Sequence, residues 1–548
     1  MLKNVILSSR KICEEVCEMG RESNYGKILS DDYEAQVSRG DRLEAENKRL
    51  KAENKSLKNR IEYLEDTFES KLEAMVSKAV DSATKPLKEI IVKQEKQLAQ
   101  ANIEISRLKS QISKNSSNSS KPPSTDGFKK IKNSREKTTN KQGGQVGHPG
   151  GRLCLPDNLD ELVTNGLVEM KLVDHTEGAV DFVSKYKIDT QTKVMITEHR
   201  FFPNTPLAPE FLNEVSYGNE FKAQTVFFLS EGMIAKQRYA DMISVLTNGV
   251  INVSRGSMEN FQHELARKLD VHGEINAIKQ DLLNSELIHV DDTGIKTTQR
   301  SVYSKDNDEV TYEKAKGTTF NAYIRTYGTD STTLYTAHPS KGEDGIIRDD
   351  ILPAYHGDVA CDHESKFRKY GRRYVPCHAH LSRELLGIYE NYKCDWAKEI
   401  RSFILEMKKF KEVDLANDSS FCLADKFDYF SKQYDQIILQ GEQLIHNKSE
   451  ATLHGYDDIR KMLNRLRDYK ENYLLFMKDY SLPFTNNIAE RSLRPEKTKQ
   501  KVSGCFRSWA GVVTNATNRS FFSTLKKRRI NLLNATVDAF SGFSVLSS

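Results

Sequence analysis

A leucine repeat with a seven-residue period constrains the fold of this chain more than any other feature of its sequence. The repeat consists of Leu43, Leu50, Leu57 and Leu64. The companion heptad positions carry Asn47, Asn54, Ile61 and Phe68. This pattern is typical of a leucine zipper, in which asparagine at the a position satisfies its amide best against an asparagine of a second chain. We therefore predict a coiled coil over residues 38–115, with a helix break near Pro86, that forms a parallel homodimer or part of a higher oligomer.

The segments on either side of the coiled coil have a different composition. Residues 1–37 form an N-terminal segment, and residues 116–154 are rich in Ser, Asn, Gly, Pro and Lys. A stretch of such low hydrophobicity cannot bury a core, so residues 116–154 are interpreted as a basic flexible linker. The lysines of this linker could also contact a nucleic-acid backbone. A flexible linker can have both roles.

Two segments follow the linker. Residues 155–213 contain the strand-like run KYKIDTQTKVMITEHRFF and predict a small β-rich module. Residues 214–284 predict helices, one of which begins after Ser254, a residue that favours the N-cap position. A helix-turn-helix reader of DNA is one interpretation of these helices, and an ordinary helical hairpin is the other.

The remaining chain predicts a mixed α/β domain with an insertion. Residues 285–391 contain the runs ELIHVDDT, NAYIRTYG, TTLYTAHP, GDVACDH and YVPCHAH. A three-strand meander followed by alternating strands and helices is the order of an RNase H-like α/β core. Residues 392–480 predict a helical insertion, because residues 481–530 then add a carboxylate-bearing helix and a basic tail. Residues 531–548 form the C-terminal segment.

Three carboxylates of this domain can converge although they lie far apart in the sequence. Asp291 lies on the first strand, Asp362 follows GDVAC, and Glu490 lies in FTNNIAERSLRP. Carboxylate oxygens suit Mg²⁺, and two such ions can support an in-line phosphoryl displacement. Asp292 should point to the other face of the strand by alternation, so Asp291 is the preferred ligand. Glu490 has a second interpretation, as a surface ion pair with Arg494 four residues later.

Five motifs carry a resemblance to a known family. They occur in the order SSNSSKPPSTDG, GGQVGHPG, VDDTGIK, CHAHLSREL and NNIAERSLRP. Together they resemble the insertion sequence 66 family of bacterial transposases, and the resemblance extends from the coiled coil to about residue 530. It implies a DDE-type DNA transposase with an RNase H-like catalytic domain, in which Asp291, Asp362 and Glu490 are the catalytic, metal-binding triad. It also implies two Mg²⁺ ions or Mn²⁺ as cofactors, and transposon-end and target DNA as substrates. Companion transposition proteins are further partners that the resemblance allows.

A second group of residues is expected to contact DNA or to support the site. Residues 491–529 contain eleven Lys or Arg and one acid, Glu496, and such an excess suits a polyanion. Asn486 and Asn487 are expected to orient the Glu490 helix or to reach a phosphate. The expected set is Asn486, Asn487, Arg491, Arg494, Lys497, His380, Arg383, Lys526, Lys527, Arg528 and Arg529.

The chain departs from the family pattern in three places. The family usually has Asp-Glu-Thr where residues 291–293 are Asp-Asp-Thr, and it usually has Trp where His378 stands. The family module that corresponds to residues 155–213 often carries paired cysteines, and this one has none, so zinc is not expected there. Cys377 and His380, together with His378, are expected to pack a helix start near the site rather than to bind metal.

Several function classes have little support in the sequence. No uninterrupted apolar run approaches the roughly 18 residues that a membrane span requires. The eight cysteines are scattered and form no C-x-x-C pair, which favours reduced thiols. We therefore predict a cytoplasmic, nucleoid-associated protein.

Two other functions remain open at this point. A coiled-coil DNA-binding protein without catalysis would explain the zipper and the basic segments, but it would give the three carboxylates no role. A metal-dependent nuclease would cleave DNA without joining strands.

Overall fold

The structure is a computed structural model of the 548-residue chain. It describes residues 24–69, 76–115, 118–119, 154–175, 181, 183–208, 211–303, 310–447 and 455–546. The chain divides into one unit made of Met1–Ile131 and Gln262–Ser548, and a second unit made of Lys132–Phe261. Most of the predicted linker, residues 116–154, lies outside the described residues.

Two long helices form the N-terminal part of the first unit. Helix α1 runs from Asn24–Glu69 and α2 from Val76–Ser113. The ion pairs Arg39–Glu104 and Lys58–Glu95, both 3.8 Å long, show that α1 and α2 run antiparallel, since the position on α2 falls as the position on α1 rises. The seam between the two helices buries apolar and amide side chains, namely Asn47, Leu50, Asn54, Ile91, Gln94 and Leu108.

This pairing bears on the predicted zipper. The Asn47 amide donates a 2.8 Å hydrogen bond to Asn102 Oδ1 of the same chain, so its partner amide comes from α2. Neither polar atom of the buried Asn54 side chain has a hydrogen-bond partner within the described residues. Association with a second chain therefore stays a prediction.

The helix break expected near Pro86 is not present. Helix α2 begins ten residues before that proline and continues to Ser113. A proline inside a helix costs about 3 kcal/mol through one lost hydrogen bond and a steric clash. We attribute the continuity of α2 to its apolar side chains further along, such as Ile91 and Leu108, which are buried against α1 and offset this cost.

The β-rich module expected over residues 155–213 is not present in the residues that the structure describes. The only regular element there is a short helix, α3, at Leu159–Thr164. In the run predicted to form a strand, the consecutive side chains Met195 and Ile196 are both largely exposed. A strand needs a neighbouring strand for its backbone hydrogen bonds and a face to bury, and this segment has neither.

Helices follow from residue 219 onward. They are α4 (Asn219–Ser230), α5 (Lys236–Leu246), α6 (Arg255–Val271) and α7 (Glu274–Leu283). The predicted cap of α6 is confirmed, because Ser254 Oγ accepts a 3.0 Å hydrogen bond from the backbone N–H of Ser257. No helix in the described part of the chain has the length and apolar content to cross a membrane.

A five-stranded mixed sheet forms the centre of the first unit. Its strands are β1 (Leu287–Thr297), β4 (Phe320–Gly328), β5 (Thr333–His338), β6 (Asp358–Cys361) and β7 (Tyr374–Pro376), in the spatial order β5-β4-β1-β6-β7. Strand β4 is antiparallel to both β1 and β5, while β6 runs parallel to β1 and β7 parallel to β6. Strands β2 (Gln299–Tyr303) and β3 (Val310–Lys314) form a separate hairpin. Helix α8 (Glu343–Asp349) follows β5.

Helices α9 to α13 lie between β7 and the carboxylate-bearing helix. They are α9 (His378–Tyr392), α10 (Asp395–Ala416), α11 (Ala424–Asn447), α12 (Tyr456–Asp468) and α13 (Lys470–Lys478). They share a core of their own, which includes Trp396, Met407, Tyr434 and Leu466. Asn118, five residues beyond the end of α2, also contacts α9: its amide donates a 3.0 Å hydrogen bond to Glu390, and a side chain at Gly387 would clash with its carbonyl.

Three helices complete the described chain: α14 (Asn487–Ser503), α15 (Trp509–Lys527) and α16 (Leu532–Ser541). Helices α14 and α15 cover one face of the sheet. Their contacts form an apolar cluster that joins Ile295 and Ile324 of the sheet to Leu493, Trp509 and Val512 of the helices. Helix α15 is also bonded to strand β5, because the backbone N–H of Tyr335 donates to Ser520 Oγ at 2.8 Å.

Candidate active site

Strand β1 carries the two consecutive aspartates to opposite faces of the sheet. Asp291 shares its face with Ile295, which packs on α14 and α15. Asp292 lies opposite Arg325 of β4 in the antiparallel register and points to the other face. A regular strand requires this separation, so the two adjacent carboxylates have different surroundings.

Asp362 lies beside Asp291 at the end of the neighbouring parallel strand. The register pairs Leu287 with Asp358 and His289 with Ala360, and the same offset, continued past the end of β6, places Asp362 level with Asp291. Burial, followed by the charge of Asp362, holds the pKa of Asp291 well above its usual range. Burial and the neighbouring Glu364 raise the pKa of Asp362 to about 6. Both carboxylates are therefore desolvated, and the charge of Asp362 disfavours ionisation of Asp291.

Asp292 is neutralised by cations on the opposite face. Its side chain is buried, and its oxygens form ion pairs with Lys366, with Lys341 at 3.3 Å and with Arg325 at 3.8 Å. The backbone N–H of Asp292 donates a 2.8 Å hydrogen bond to Asp291 Oδ1. Asp292 therefore has the counter-ions that Asp291 lacks among the described contacts.

A buried ionic network that the sequence analysis did not predict extends from Asp292. The fully buried Arg325 donates a 2.7 Å hydrogen bond to Asp349, which also accepts from Tyr327 at 2.5 Å and lies 2.6 Å from His338 Nε2. Burial alone would raise the pKa of Asp349, but the His338 hydrogen bond and the charges of His338 and Arg325 outweigh it and lower that pKa. The sequence signal for this buried arginine was that Arg325 is the one charged residue of the strand-like run NAYIRTYG.

Helix α14 places Glu490 close to helix α9. Glu490 Oε1 lies 3.4 Å from His380 Nδ1 and 3.7 Å from an Arg383 nitrogen, and the Cys377 thiol donates to it at 3.8 Å. No ion pair between Glu490 and Arg494 occurs in the described part of the chain. The surface ion pair considered as the second interpretation of Glu490 is therefore not formed.

Asn486 fixes the start of α14 against β1. Its side-chain nitrogen donates a 2.8 Å hydrogen bond to the carbonyl of Val290, and its side-chain oxygen accepts from His289 Nδ1 at 2.9 Å. Its backbone N–H donates to Cys377 Sγ at 3.2 Å. Asn486 is almost fully buried, so of its two predicted roles the contacts fit the orientation of the Glu490 helix.

The three predicted carboxylates do not meet at one point. The charge of Asp362 acts on Asp291 more strongly than that of Asp292, and the charge of Glu490 acts least. Among the described residues, a single triplet of His, Cys, Asp or Glu side chains brings its ligand atoms within 4.8 Å of one another, and it consists of Cys377, His380 and Glu490. The structure thus pairs the two aspartates and separately joins Glu490 to α9.

The predicted DNA-contacting residues of α14 fall into two groups. Asn487, Arg491 and Arg494 are exposed and recur three or four residues apart, so they share the outward face of the helix. Lys497 points inward and donates a 2.5 Å hydrogen bond to the carbonyl of Gly294. Burial, followed by the charge of Lys296, lowers the pKa of Lys497.

The basic residues at the end of α15 also fall into an exposed group and a group that bonds to the rest of the fold. Lys526 and Arg529 are exposed, whereas Lys527 donates a 3.0 Å hydrogen bond to the Thr332 carbonyl and Arg528 forms an ion pair with Asp281. Burial lowers the pKa of Lys527 to about 8. Lys527 and Arg528 therefore stabilise the fold, whereas Lys526 and Arg529 are exposed at the surface.

His378 occupies an aromatic environment in the helical region. Its ring is buried, stacks on Phe484 at 4.6 Å and donates through Nε2 to the Tyr473 carbonyl at 2.9 Å. Burial lowers the pKa of His378 to about 4. The His378 ring therefore packs as one of a group of aromatic rings with Tyr473, Phe476 and Phe484.

Comparisons with known proteins agree with this architecture. A family model described as Transposase IS66 family matches residues 214–514. A second model, described as a family of unknown function (DUF6444), matches residues 32–153. No curated protein and no solved structure has significant similarity to the chain. Because the first model covers more than half of the 548 residues and contains both aspartates and Glu490, this chain belongs to the IS66 family of transposases.

Proposed function

We propose that this transposase cleaves DNA at the ends of its insertion sequence and then joins the freed 3′ hydroxyls to target DNA. The observation that carries the proposal is the desolvated pair Asp291 and Asp362, level with each other at the ends of neighbouring parallel strands. The strand order, with three antiparallel strands beside two parallel ones, supports an RNase H-like core. Hydrolysis followed by transesterification conserves bond energy, so no high-energy cofactor is required.

The donor set of the aspartate pair fits a hard divalent cation, with Mg²⁺ or Mn²⁺ as the proposed cofactor. Asp291 and Asp362 present carboxylate oxygens whose repulsion in a buried setting raises the pKa of Asp291 well above its usual range, and a cation would relieve that repulsion. When bound, two such ions would supply charge neutralisation at the phosphate and activation of the attacking oxygen.

Glu490 is proposed as the third carboxylate of this site. Helix α14 presents it to the same face as Asp291, and its charge acts on Asp291. In this structure its nearest ion-pair partners are His380 and Arg383. We propose that a DNA phosphate that binds Arg383 releases Glu490 toward the aspartates, so that DNA binding completes the site.

The exposed cations near α14 are proposed to position DNA. Arg491 and Arg494 lie on the outward face of the helix that carries Glu490, and Lys526 and Arg529 extend from the end of α15. Backbone contacts of this kind hold a duplex in register without reading its sequence. They should also make binding strongly dependent on salt concentration.

The remaining segments are proposed to organise the protein on DNA. The second family match, residues 32–153, covers the α1–α2 pair and the predicted linker, which supports treating them as one accessory region. We propose that this region mediates dimerisation or higher assembly, and that residues 214–284 contribute further DNA contacts. Companion transposition proteins would bind outside the catalytic core.

The test is cleavage and strand joining on labelled DNA taken from the flanks of the protein's own gene, in Mg²⁺. We expect Asp291→Asn, Asp362→Asn and Glu490→Gln each to reduce cleavage by orders of magnitude, because each removes a negative ligand at nearly constant volume. Glu343→Gln is the matched control, since it changes an exposed carboxylate paired with Lys369 in the same domain. A gel-shift assay on every variant should show retained DNA binding.

The outcomes separate the competing functions. DNA binding with no cleavage by the unaltered chain would favour an architectural protein. Cleavage without joining to a second duplex would favour a metal-dependent nuclease. Full cleavage by Glu490→Gln would remove that residue from the site while leaving the role of the two aspartates intact.

A further inference from the structure

The junction of β7, α9 and α14 brings three different metal-binding side chains together. Cys377 directly precedes α9, His380 lies in its first turn, and Glu490 lies in the first turn of α14. Their ligand atoms all lie within 4.8 Å of one another. The helix starts meet because Asn486 and Cys377 are joined by a backbone-to-sulfur hydrogen bond of 3.2 Å.

We propose that Cys377, His380 and Glu490 form a binding site for a thiophilic divalent metal ion such as Zn²⁺, distinct from the aspartate pair. A tetrahedral zinc ion has bonds of about 2.0–2.3 Å, so its ligand atoms stand roughly 3.3–3.8 Å apart. Here Glu490 Oε1 lies 3.4 Å from His380 Nδ1 and 3.8 Å from Cys377 Sγ. Two of the three donor pairs therefore have the spacing of a zinc site before any ion binds, and the third pair, Cys377 and His380, lies within 4.8 Å.

The state of His380 supports this assignment. Its Nδ1 atom is buried and makes no hydrogen bond within the described residues. Three protein ligands would leave the fourth position of the ion to water or to a DNA phosphate.

The soft sulfur ligand sets the chemical class of the ion. Asp291 and Asp362 offer oxygen alone, which suits Mg²⁺, whereas a thiolate with an imidazole selects Zn²⁺ or Co²⁺ over Mg²⁺. One electrostatic feature opposes binding, because an Arg383 nitrogen lies 3.7 Å from the same Glu490 oxygen. That guanidinium is partly exposed and must move aside when the ion enters.

The consequence for catalysis rests on the proposed function. An ion at this junction would hold Glu490 on the α9 side and away from the aspartates. Micromolar Zn²⁺ should then inhibit cleavage that is supported by millimolar Mg²⁺. Thus Cys377 and His380 would be regulatory ligands rather than catalytic residues.

The site can be tested without activity, by titration of the full chain with Co²⁺ and absorbance spectroscopy. We expect one Co²⁺ per chain with a thiolate-to-cobalt charge-transfer band. Cys377→Ser should abolish the band while it keeps an acceptor for the Asn486 N–H. His380→Gln should weaken binding by more than the roughly 10- to 100-fold that loss of an outer-shell partner causes. Arg383→Gln should strengthen binding.

Cys154→Ser is the matched control, because it removes an exposed thiol outside the site and should leave the band unchanged. A band that survives in Cys377→Ser, or one that disappears in Cys154→Ser, would overturn the assignment. Zinc inhibition of equal strength in the unaltered chain and in Cys377→Ser would overturn the regulatory role. If the chain does not cleave DNA in Mg²⁺ at all, the proposed function fails while the cobalt band still decides the metal site.

Discussion

The side-chain nitrogen of Asn486 donates a 2.8 Å hydrogen bond to the backbone carbonyl of Val290, the residue directly before Asp291. This bond links the start of the Glu490 helix to the strand that carries the first aspartate. This buried amide is therefore one of the contacts that set the position of α14 relative to β1, beside those of Leu493 and Lys497.

Replacement of that amide should destabilise the fold. In Asn486→Ala the Val290 carbonyl and the His289 ring lose their partners inside the core, and each buried unsatisfied group costs about 1–3 kcal/mol. We expect a loss of about 2 kcal/mol or more in urea denaturation followed by circular dichroism. Asn487→Ala, at the exposed neighbouring position, should change stability by less than about 0.5 kcal/mol. Equal losses of stability in Asn486→Ala and Asn487→Ala would contradict the structural role of the Asn486 amide.

The adjacent aspartates should respond to amide substitution with opposite signs. Asp291→Asn removes a repelling charge from the aspartate pair and should raise the stability of the metal-free protein. Asp292→Asn removes one counter-ion from the buried network, although Arg325 keeps Asp349 and Lys366 keeps Glu364, and should cost up to about 3 kcal/mol. Thermal denaturation of both variants at pH 7.5 without divalent metal gives the comparison. A stabilising Asp292→Asn would show that the faces of β1 were assigned wrongly.

The aspartate pair also predicts a pH dependence. The folded-state pKa of Asp362 is raised to about 6, so the ionised group destabilises the fold above that pH, by at most about 3 kcal/mol. This penalty should decrease as the pH falls below 6 and vanish only below the unfolded value of about 4. We expect Asp362→Asn to be more stable than the unaltered chain at pH 7.5 and to lose about half of that advantage by pH 5. A constant difference across this range would rule out the raised pKa.

His378 should contribute the opposite dependence on pH. Its folded-state pKa is lowered to about 4, so the unfolded chain takes up a proton first and stability is lost as the pH falls below the unfolded value of 6.5. His378→Phe keeps a ring to stack on Phe484 and cannot titrate. The variant should therefore lose less stability than the unaltered chain between pH 7 and pH 4.5, by about 2 kcal/mol over that range. Equal acid sensitivity would mean that the ring is not neutral and buried.

The N-terminal helices make a prediction about assembly. Asn47 already has a partner in Asn102 of the same chain, so Asn102→Leu should leave one buried amide unpaired, and Asn47→Leu together with Asn102→Leu should restore an apolar seam. Melting of the full chain should show the single change as destabilising and the double change as neutral or stabilising. Sedimentation at micromolar concentration tests the predicted dimer separately, and a monomer there would contradict it.

Local pattern in the sequence was enough for the features that depend on neighbouring residues. The heptads of residues 38–115 predicted long helices, and alternation predicted that Asp291 and Asp292 face opposite ways, because both follow from the geometry of a single element. Ser254 predicted a helix start for the same reason. The run at residues 185–202 predicted a strand that is not formed, because a strand also needs a partner for its backbone, and no local pattern supplies one.

Contacts between distant segments were decided only in three dimensions. The sequence does not show that Asn47 meets Asn102, that Glu490 lies beside Cys377 and His380, or that Lys527 donates to a backbone carbonyl while Arg529 stays exposed. Each of these depends on how two elements far apart in the chain pack. The residue type determines which interactions a side chain can make. Tertiary packing sets the burial and the partners of that side chain, and these determine which of the interactions it makes.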